Sequence, residues 1–203
     1  MRTIRGDIVH ELVIHRSRFI CALARVADEA AARAFITERR RAHWNAGHHC
    51  TAYVVGGDGR IRRSSDDGEP GGTAGLPMLE VLRHRELVEV VAVVSRYFGG
   101  VKLGAGGLVR AYGGVVSEAV DLAGTVELLR LPVVTVVADY RDGGGLEAEL
   151  RRGPDRLLDV RYGDDIEFDV ATPDPERLGA RLASMTGGAA VWQTTGETVV
   201  EAG

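Results

Sequence analysis

Apolar and polar residues alternate from Ile8 to Ile14 and again from Phe19 to Val26, a period of two that predicts a β-hairpin. Asp28 then stands where a helix cap is needed, and Glu29 to Ala42 reads as a helix whose Arg39-Arg40-Arg41 end places cations at its C-terminus. Cys50 to Val55 reads as a strand, followed by a Gly56-Gly57-Asp58-Gly59 turn, a strand from Arg60, an acidic loop, and a short helix from about Pro77 to His84. The continuous apolar run Leu87 to Ser95 is of buried-strand type, and a long small-residue helix is expected over about Gly106 to Ala123.

Beyond an expected linker at Gly124 to Arg130, the order changes character. An apolar run Leu131 to Ala138, a helical Leu146 to Arg152, strands at Leu157 to Tyr162 and Ile166 to Ala171, a helix Pro175 to Met185 and a strand Ala190 to Val200 form a β-α-β-β-α-β series. Asp142 with its three glycines is the expected opening of the first of these helices, and Thr172 or Asp174 the cap of the second. The fold class predicted is α+β, with an N-terminal α/β domain over 1–129 and a ferredoxin-like domain over 130–203.

Charge adds a second division. Residues 1–129 hold 17 Lys+Arg and 15 Asp+Glu, a net of +2, while 130–203 hold 8 and 14, a net of −6. A polyanion would therefore prefer the N-terminal part. No stretch approaches the roughly 20 apolar residues of a membrane span, and the opening residues lack the apolar core and cleavage site of a secretory signal. A cytoplasmic location without membrane contact is expected, with Cys21 and Cys50 as reduced thiols. Lys102 is the only lysine in the chain.

Two glycine-rich loops carry the candidate chemistry. In the first, Asp66, Asp67 and Glu69 precede Gly71, Gly72, Thr73 and Gly75, so it could hold a hard cation through its carboxylates or an anion at its amides. Its spacing is not that of a calcium loop, and an acidic turn that favours the following helix N-terminus is the plainer reading. The second runs Gly99 to Gly107 between a strand and a helix, the setting of phosphate cradles. It lacks the Gly-Lys-Ser/Thr of a P-loop, and Val109 stands where a dinucleotide fingerprint needs a small residue. What remains is an electropositive loop with Lys102 inside it, Arg96 at its entry and Arg110 one turn into the helix. His48 and Cys50 share a strand face, but two more zinc ligands are missing and strand neighbours rarely align as nucleophile and base. No catalytic residue, metal site or cofactor is assigned.

Together, Gly47 to Tyr53, Asp66 to Leu79 and Arg96 to Tyr112 resemble the signature blocks of the IMPACT (YigZ-type) family, in its two-domain bacterial form. The chain departs from the family pattern at His49, usually an amide residue, and at Gly71, often Ser. The resemblance implies an N-terminal domain similar to the second domain of ribosomal protein S5 and a C-terminal domain similar to the last domain of elongation factor G. Eukaryotic relatives are linked to control of translation initiation through a kinase pathway that bacteria lack. The expectation is a non-enzymatic translation- or stress-associated regulatory protein that contacts RNA, the ribosome or a protein partner through residues 1–129. The residues expected to carry that contact are His48, Asp66, Asp67, Glu69, Thr73, Arg96, Tyr97, Lys102, Gly104, Gly106, Arg110 and Tyr112. Two other readings use the same stretch. One is an enzyme on a phosphorylated small molecule, with Lys102 and Arg96 on phosphate and an acidic-loop carboxylate as base or metal ligand. The other is a protein-interaction module anchored by Arg96, Tyr97, Arg110 and Tyr112.

Overall fold

The computed structural model describes residues 1–202, which divide by their contacts into two compact units, Met1–Leu128 with Ala202, and Leu129–Glu201. Among the described residues the chain is mixed α/β, with ten strands and five helices.

The first unit opens with a short strand that the hydropathy pattern does not announce, β1 (Arg2–Ile4). Its main sheet is built from β2 (Ile8–Ile14), β3 (Ser17–Arg25), β4 (His48–Val55), β5 (Ile61–Ser65) and β6 (Val90–Tyr97), in the order β2-β3-β6-β4-β5 with every pairing antiparallel. Helix α1 (Glu29–Ala42) starts where Asp28 accepts the Ala31 N–H at 2.8 Å. It packs Ala32, Phe35 and Ile36 against Ala24, Tyr53, Val55, Val91 and Val93 on one sheet face. The other face carries α2 (Gly75–His84) and α3 (Gly104–Ala123). The buried positions of α3, Leu108, Ala111, Tyr112, Val115, Val116, Ala119 and Val120, recur at steps of three and four, a continuous apolar stripe along one side of the helix. Tyr112 meets Phe19 of β3 edge to face, ring centroids 5.2 Å apart. The central strands β6 and β4 are therefore apolar on both sides, which is why their sequences do not alternate.

The expected linker at Gly124 to Arg130 is instead strand. Gly124, at φ +67°, closes α3, and β7 (Thr125–Ala138) begins at once, its first residues pairing with β1. The polar residues there read as a loop because the segments that hold them, β1 and the C-terminal residues, are far away in sequence. In the second unit β7 is followed by α4 (Tyr140–Arg152), β8 (Arg156–Tyr162), β9 (Ile166–Ala171), α5 (Pro175–Thr186) and β10 (Val191–Glu201), with strand order β10-β7-β9-β8. Leu146, Leu150, Leu178 and Leu182 from the helices close over Val134, Val136, Phe168 and Val170. Asp174 caps α5, but Asp142 does not open α4: Asp139 accepts the Asp142 N–H at 3.0 Å, and the three glycines lie inside the helix. A Cβ on Gly143 would fall 2.3 Å from Ile166 Cδ1, so at least that glycine serves close packing rather than a turn.

Candidate functional site

The acidic loop joins β5 to α2, and its three carboxylates have three different partners. Asp66 accepts the backbone N–H groups of Gly72 (2.8 Å), Ala74 (3.0 Å) and Gly75 (2.8 Å), so the anion bound at this helix N-terminus is the chain's own side chain. Burial works against the Asp66 charge, yet these amides together hold its carboxyl below the usual range. Asp67, at φ +44°, accepts the His49 N–H at 2.6 Å and pairs with Arg40 of α1 at 2.6 Å. Arg40 belongs to the arginine run that places cations at the C-terminus of α1; here it also fastens the loop.

Glu69 turns fully inward. Its side chain is 3% exposed, bonded by Arg96 Nη1 at 2.7 Å and by the Tyr112 hydroxyl at 2.7 Å. The Arg96 guanidinium lies between two rings, 5.4 Å from the Phe19 centroid and 5.7 Å from that of Phe98. Arg96 thus has a charge partner and two aromatic neighbours while its Nε has no hydrogen-bond partner. Thr73 is buried too, its hydroxyl given to the Pro70 carbonyl at 2.6 Å.

His48 pairs in register with Arg96 across the β4–β6 ladder, and its Nδ1 lies 2.8 Å from the Asp67 carbonyl, which can only accept. Its Nε2 faces Glu69 at 3.9 Å. The Cys50 thiol donates to the Asp66 carbonyl at 3.0 Å, and burial pushes its pKa up to about 12. A buried thiol with that pKa is no nucleophile at neutral pH, and His48 is turned to a different partner. Burial likewise raises the Tyr112 phenol well above its ordinary value.

Tyr97 and Tyr112 do not fit the role of exposed anchors. Tyr97 follows Arg96 on the strand and so faces the α1 side, where its hydroxyl meets His43 Nδ1 and Asn45 Oδ1, each at 3.1 Å. Tyr112 is 0% exposed. Arg96 is excluded as an exposed anchor for the same reason, at 6%. Asp66 and Glu69, for their part, are engaged as hydrogen-bond acceptors within the fold. Among the described residues no three His, Cys, Asp or Glu side chains converge to hold a metal ion.

What faces outward is a cleft of about 370 Å³ on the α2/α3 side, lined by Glu69, Pro70, Arg96, Phe98, Lys102, Leu103, Gly104, Ala105 and Leu108. It brings the end of the acidic loop and Lys102 to one place. Gly104, at φ +69°, begins α3 in a conformation that favours glycine, and Leu103 at the cap offers no side-chain acceptor. Gly106 and Arg110 lie in the exposed first turns, with Arg110 Nη1 3.5 Å from where a Gly106 Cβ would stand. Gly99 has another reason to be glycine: a Cβ there would fall 2.0 Å from the Arg16 carbonyl carbon, in the β2–β3 turn. Phe98, 60% exposed, is the aromatic cleft residue, and the sequence does not single it out. Its only signal is an aromatic directly before a glycine pair, where no strand period assigns it to the core.

Fold and site together define a two-unit α/β protein with an exposed glycine-loop cleft over a buried Glu-Arg-Tyr cluster. The Impact N-terminal domain matches residues 15–120, and the chain belongs to the IMPACT family. It is 49% identical over 174 residues to IMPACT family member YvyE of Bacillus subtilis, covering 86% of this chain and 80% of that one. With IMPACT family member YigZ of Escherichia coli the identity is 40% over 179 residues, covering 86% and 88%. A solved structure described as a hypothetical protein aligns over 96% of both chains, at 36% identity and a TM-score of 0.71. No helix of the described residues is long and apolar enough to cross a membrane.

Proposed function

We propose that this chain is a non-enzymatic regulatory binding protein of translation that meets RNA, free or on the ribosome, through the cleft of its first unit. The observation that carries this reading is the inward turn of the acidic loop. With Asp66 held by three amides and Glu69 by Arg96 and Tyr112, the loop is scaffold, and the cleft presents Lys102 and Phe98 to solvent, with Arg110 exposed on the first turns of α3 near Gly106. Cations and an exposed ring serve binding to a nucleic acid better than they serve acid–base chemistry. The net charges of the two parts agree, since only residues 1–129 are positive overall.

The finer fold reading belongs to this proposal. The second unit's strand order is fourth, first, third, second with a helix in each crossover, which supports a ferredoxin-like domain over 130–203, similar to the last domain of elongation factor G. The first unit, with three helices on the two faces of an antiparallel sheet, supports likeness to the second domain of ribosomal protein S5, and a boundary at 129/130. Both comparisons point toward the ribosome by analogy of fold.

The test is RNA affinity of the full-length chain by fluorescence anisotropy at about 50 and 200 mM salt, with the Lys102→Ala/Arg110→Ala double variant alongside. Affinity is expected to fall steeply with salt, and the variant to bind more weakly with a salt slope smaller by about two. A salt-insensitive complex that the double variant leaves unchanged would exclude RNA at this cleft and leave a protein partner as the occupant.

A further inference from the structure

We propose that the cleft holds one phosphate monoester at the N-terminus of α3, with the flat body attached to it laid on Phe98: the ligand is a terminal or free nucleotide. The inference rests on the reading of this cleft as the binding surface and goes further by naming the group it recognises.

Four observations carry it. The two helix N-termini of the glycine loops are unlike in a specific way: Asp66 accepts the N–H groups of Gly72, Ala74 and Gly75 at the start of α2, whereas α3, twenty residues long, has no side-chain cap and no acidic residue in its first turn. Its free N–H groups and dipole point at an anion. Next, Lys102 and Arg110 stand beside that turn, both exposed, and neither has an ion-pair partner among the described residues. Independently, Arg96 lines the same cleft while only 6% exposed, and its Nε is a buried donor with no acceptor, a polar group that a ligand oxygen could satisfy after a small shift of the side chain. The Glu69 carboxylate nearby is paired with the Arg96 guanidinium, which offsets its charge, and its Oε1 also accepts the Tyr112 hydroxyl. Finally, Phe98 is 60% exposed and has the Arg96 guanidinium 5.7 Å from its centroid, leaving ring surface for a second flat group.

The donor set selects phosphate over carboxylate. Two cations match a dianion, and a monoester presents three terminal oxygens to the amides, ammonium and guanidinium where a carboxylate presents two. At about 370 Å³ the cleft lies at the lower end of small-molecule sites and suits a nucleotide-sized unit rather than a long ligand. Neither nucleotide fingerprint of the glycine loops is needed, since the helix terminus and side chains do the binding.

The experiment titrates the full-length chain calorimetrically with adenosine 5′-monophosphate, adenosine and inorganic phosphate, and with a short single-stranded RNA bearing either a 5′-phosphate or a 5′-hydroxyl. The phosphorylated forms are expected to bind tighter than their unphosphorylated partners by roughly tenfold or more. That preference is expected to vanish in Lys102→Ala/Arg110→Ala, while Phe98→Ser weakens the nucleotide but not inorganic phosphate. All three positions are exposed, and circular dichroism checks that the variants remain folded. Comparable affinity for the free monophosphate and the phosphorylated RNA identifies a free nucleotide, and a large preference for the RNA identifies a strand end. Equal affinity for both RNAs together with no monophosphate binding overturns the proposal. If the double variant then loses affinity for both RNAs alike, the cleft still binds RNA and only the phosphate assignment falls; if it loses affinity for neither, the RNA reading falls as well.

Discussion

Glu69 and Arg96 are 27 residues apart and meet under 10% exposure, so each is the other's main replacement for lost water. Such a pair adds little by forming, but removing one member leaves the other charged, buried and alone. Glu69→Ala is therefore expected to destabilise the first unit by about 3–5 kcal/mol, read as a lowered urea midpoint at unchanged slope; a change near zero would mean that Arg96 finds water. Asp66 makes a pH-dependent contribution. Its folded pKa is depressed from the ordinary 3.8, so the native state binds fewer protons than the unfolded chain. The stability it adds is complete above about pH 4 and is lost as pH falls through the folded value. The urea midpoint of the wild type should drop more between pH 5 and pH 3 than that of Asp66→Asn; parallel curves would show that the amides do not depend on the carboxylate charge.

At the scale of elements, α4 shows how a turn signal and a helix can share the same letters. Asp142-Gly143-Gly144-Gly145 looks like a loop, yet Asp139 caps the helix three residues earlier and Leu146 and Leu150 hold it to the sheet. Gly143 is required by Ile166, whereas a Cβ on Gly144 or Gly145 would meet nothing within 4 Å. Gly144→Ala and Gly145→Ala should each stabilise the second unit by about 0.5–1 kcal/mol, because alanine loses less backbone freedom on entering a helix. Gly143→Ala should do the opposite, and thermal unfolding of the three variants separates packing from propensity. Gly99 makes the same point in the second loop, where contact with the β2–β3 turn demands a missing side chain independently of any ligand.

For the whole molecule, the uneven charge makes a mapping prediction. If RNA is the partner, zero-length crosslinks between the full chain and single-stranded RNA should fall within residues 1–129, near Lys102 and Phe98, and be sparse in 130–203, whose net charge is −6. Crosslinks concentrated on the acidic part would place recognition outside the cleft.

Much of the architecture was legible because it follows local rules. The period of two in β2, the cap at Asp28, the cap at Asp174 and the element order of the second unit each depend on residues a few positions apart. Strands β1 and the start of β7 were not legible, because neither has an apolar period and both are held by partners distant in sequence, including each other. The site divides the same way. The proposal of a candidate site between Asp66 and Tyr112, with its glycine loops and Lys102, comes from the sequence by itself. Only the tertiary structure decided that Asp66 caps α2, that Glu69 is buried on Arg96 and Tyr112, that Tyr97 faces away, and that Phe98 joins Lys102 at the cleft. The reason is physical: spacing along the chain sets the backbone path, but whether a charge meets water, an amide or an opposite charge depends on which distant element folds against it.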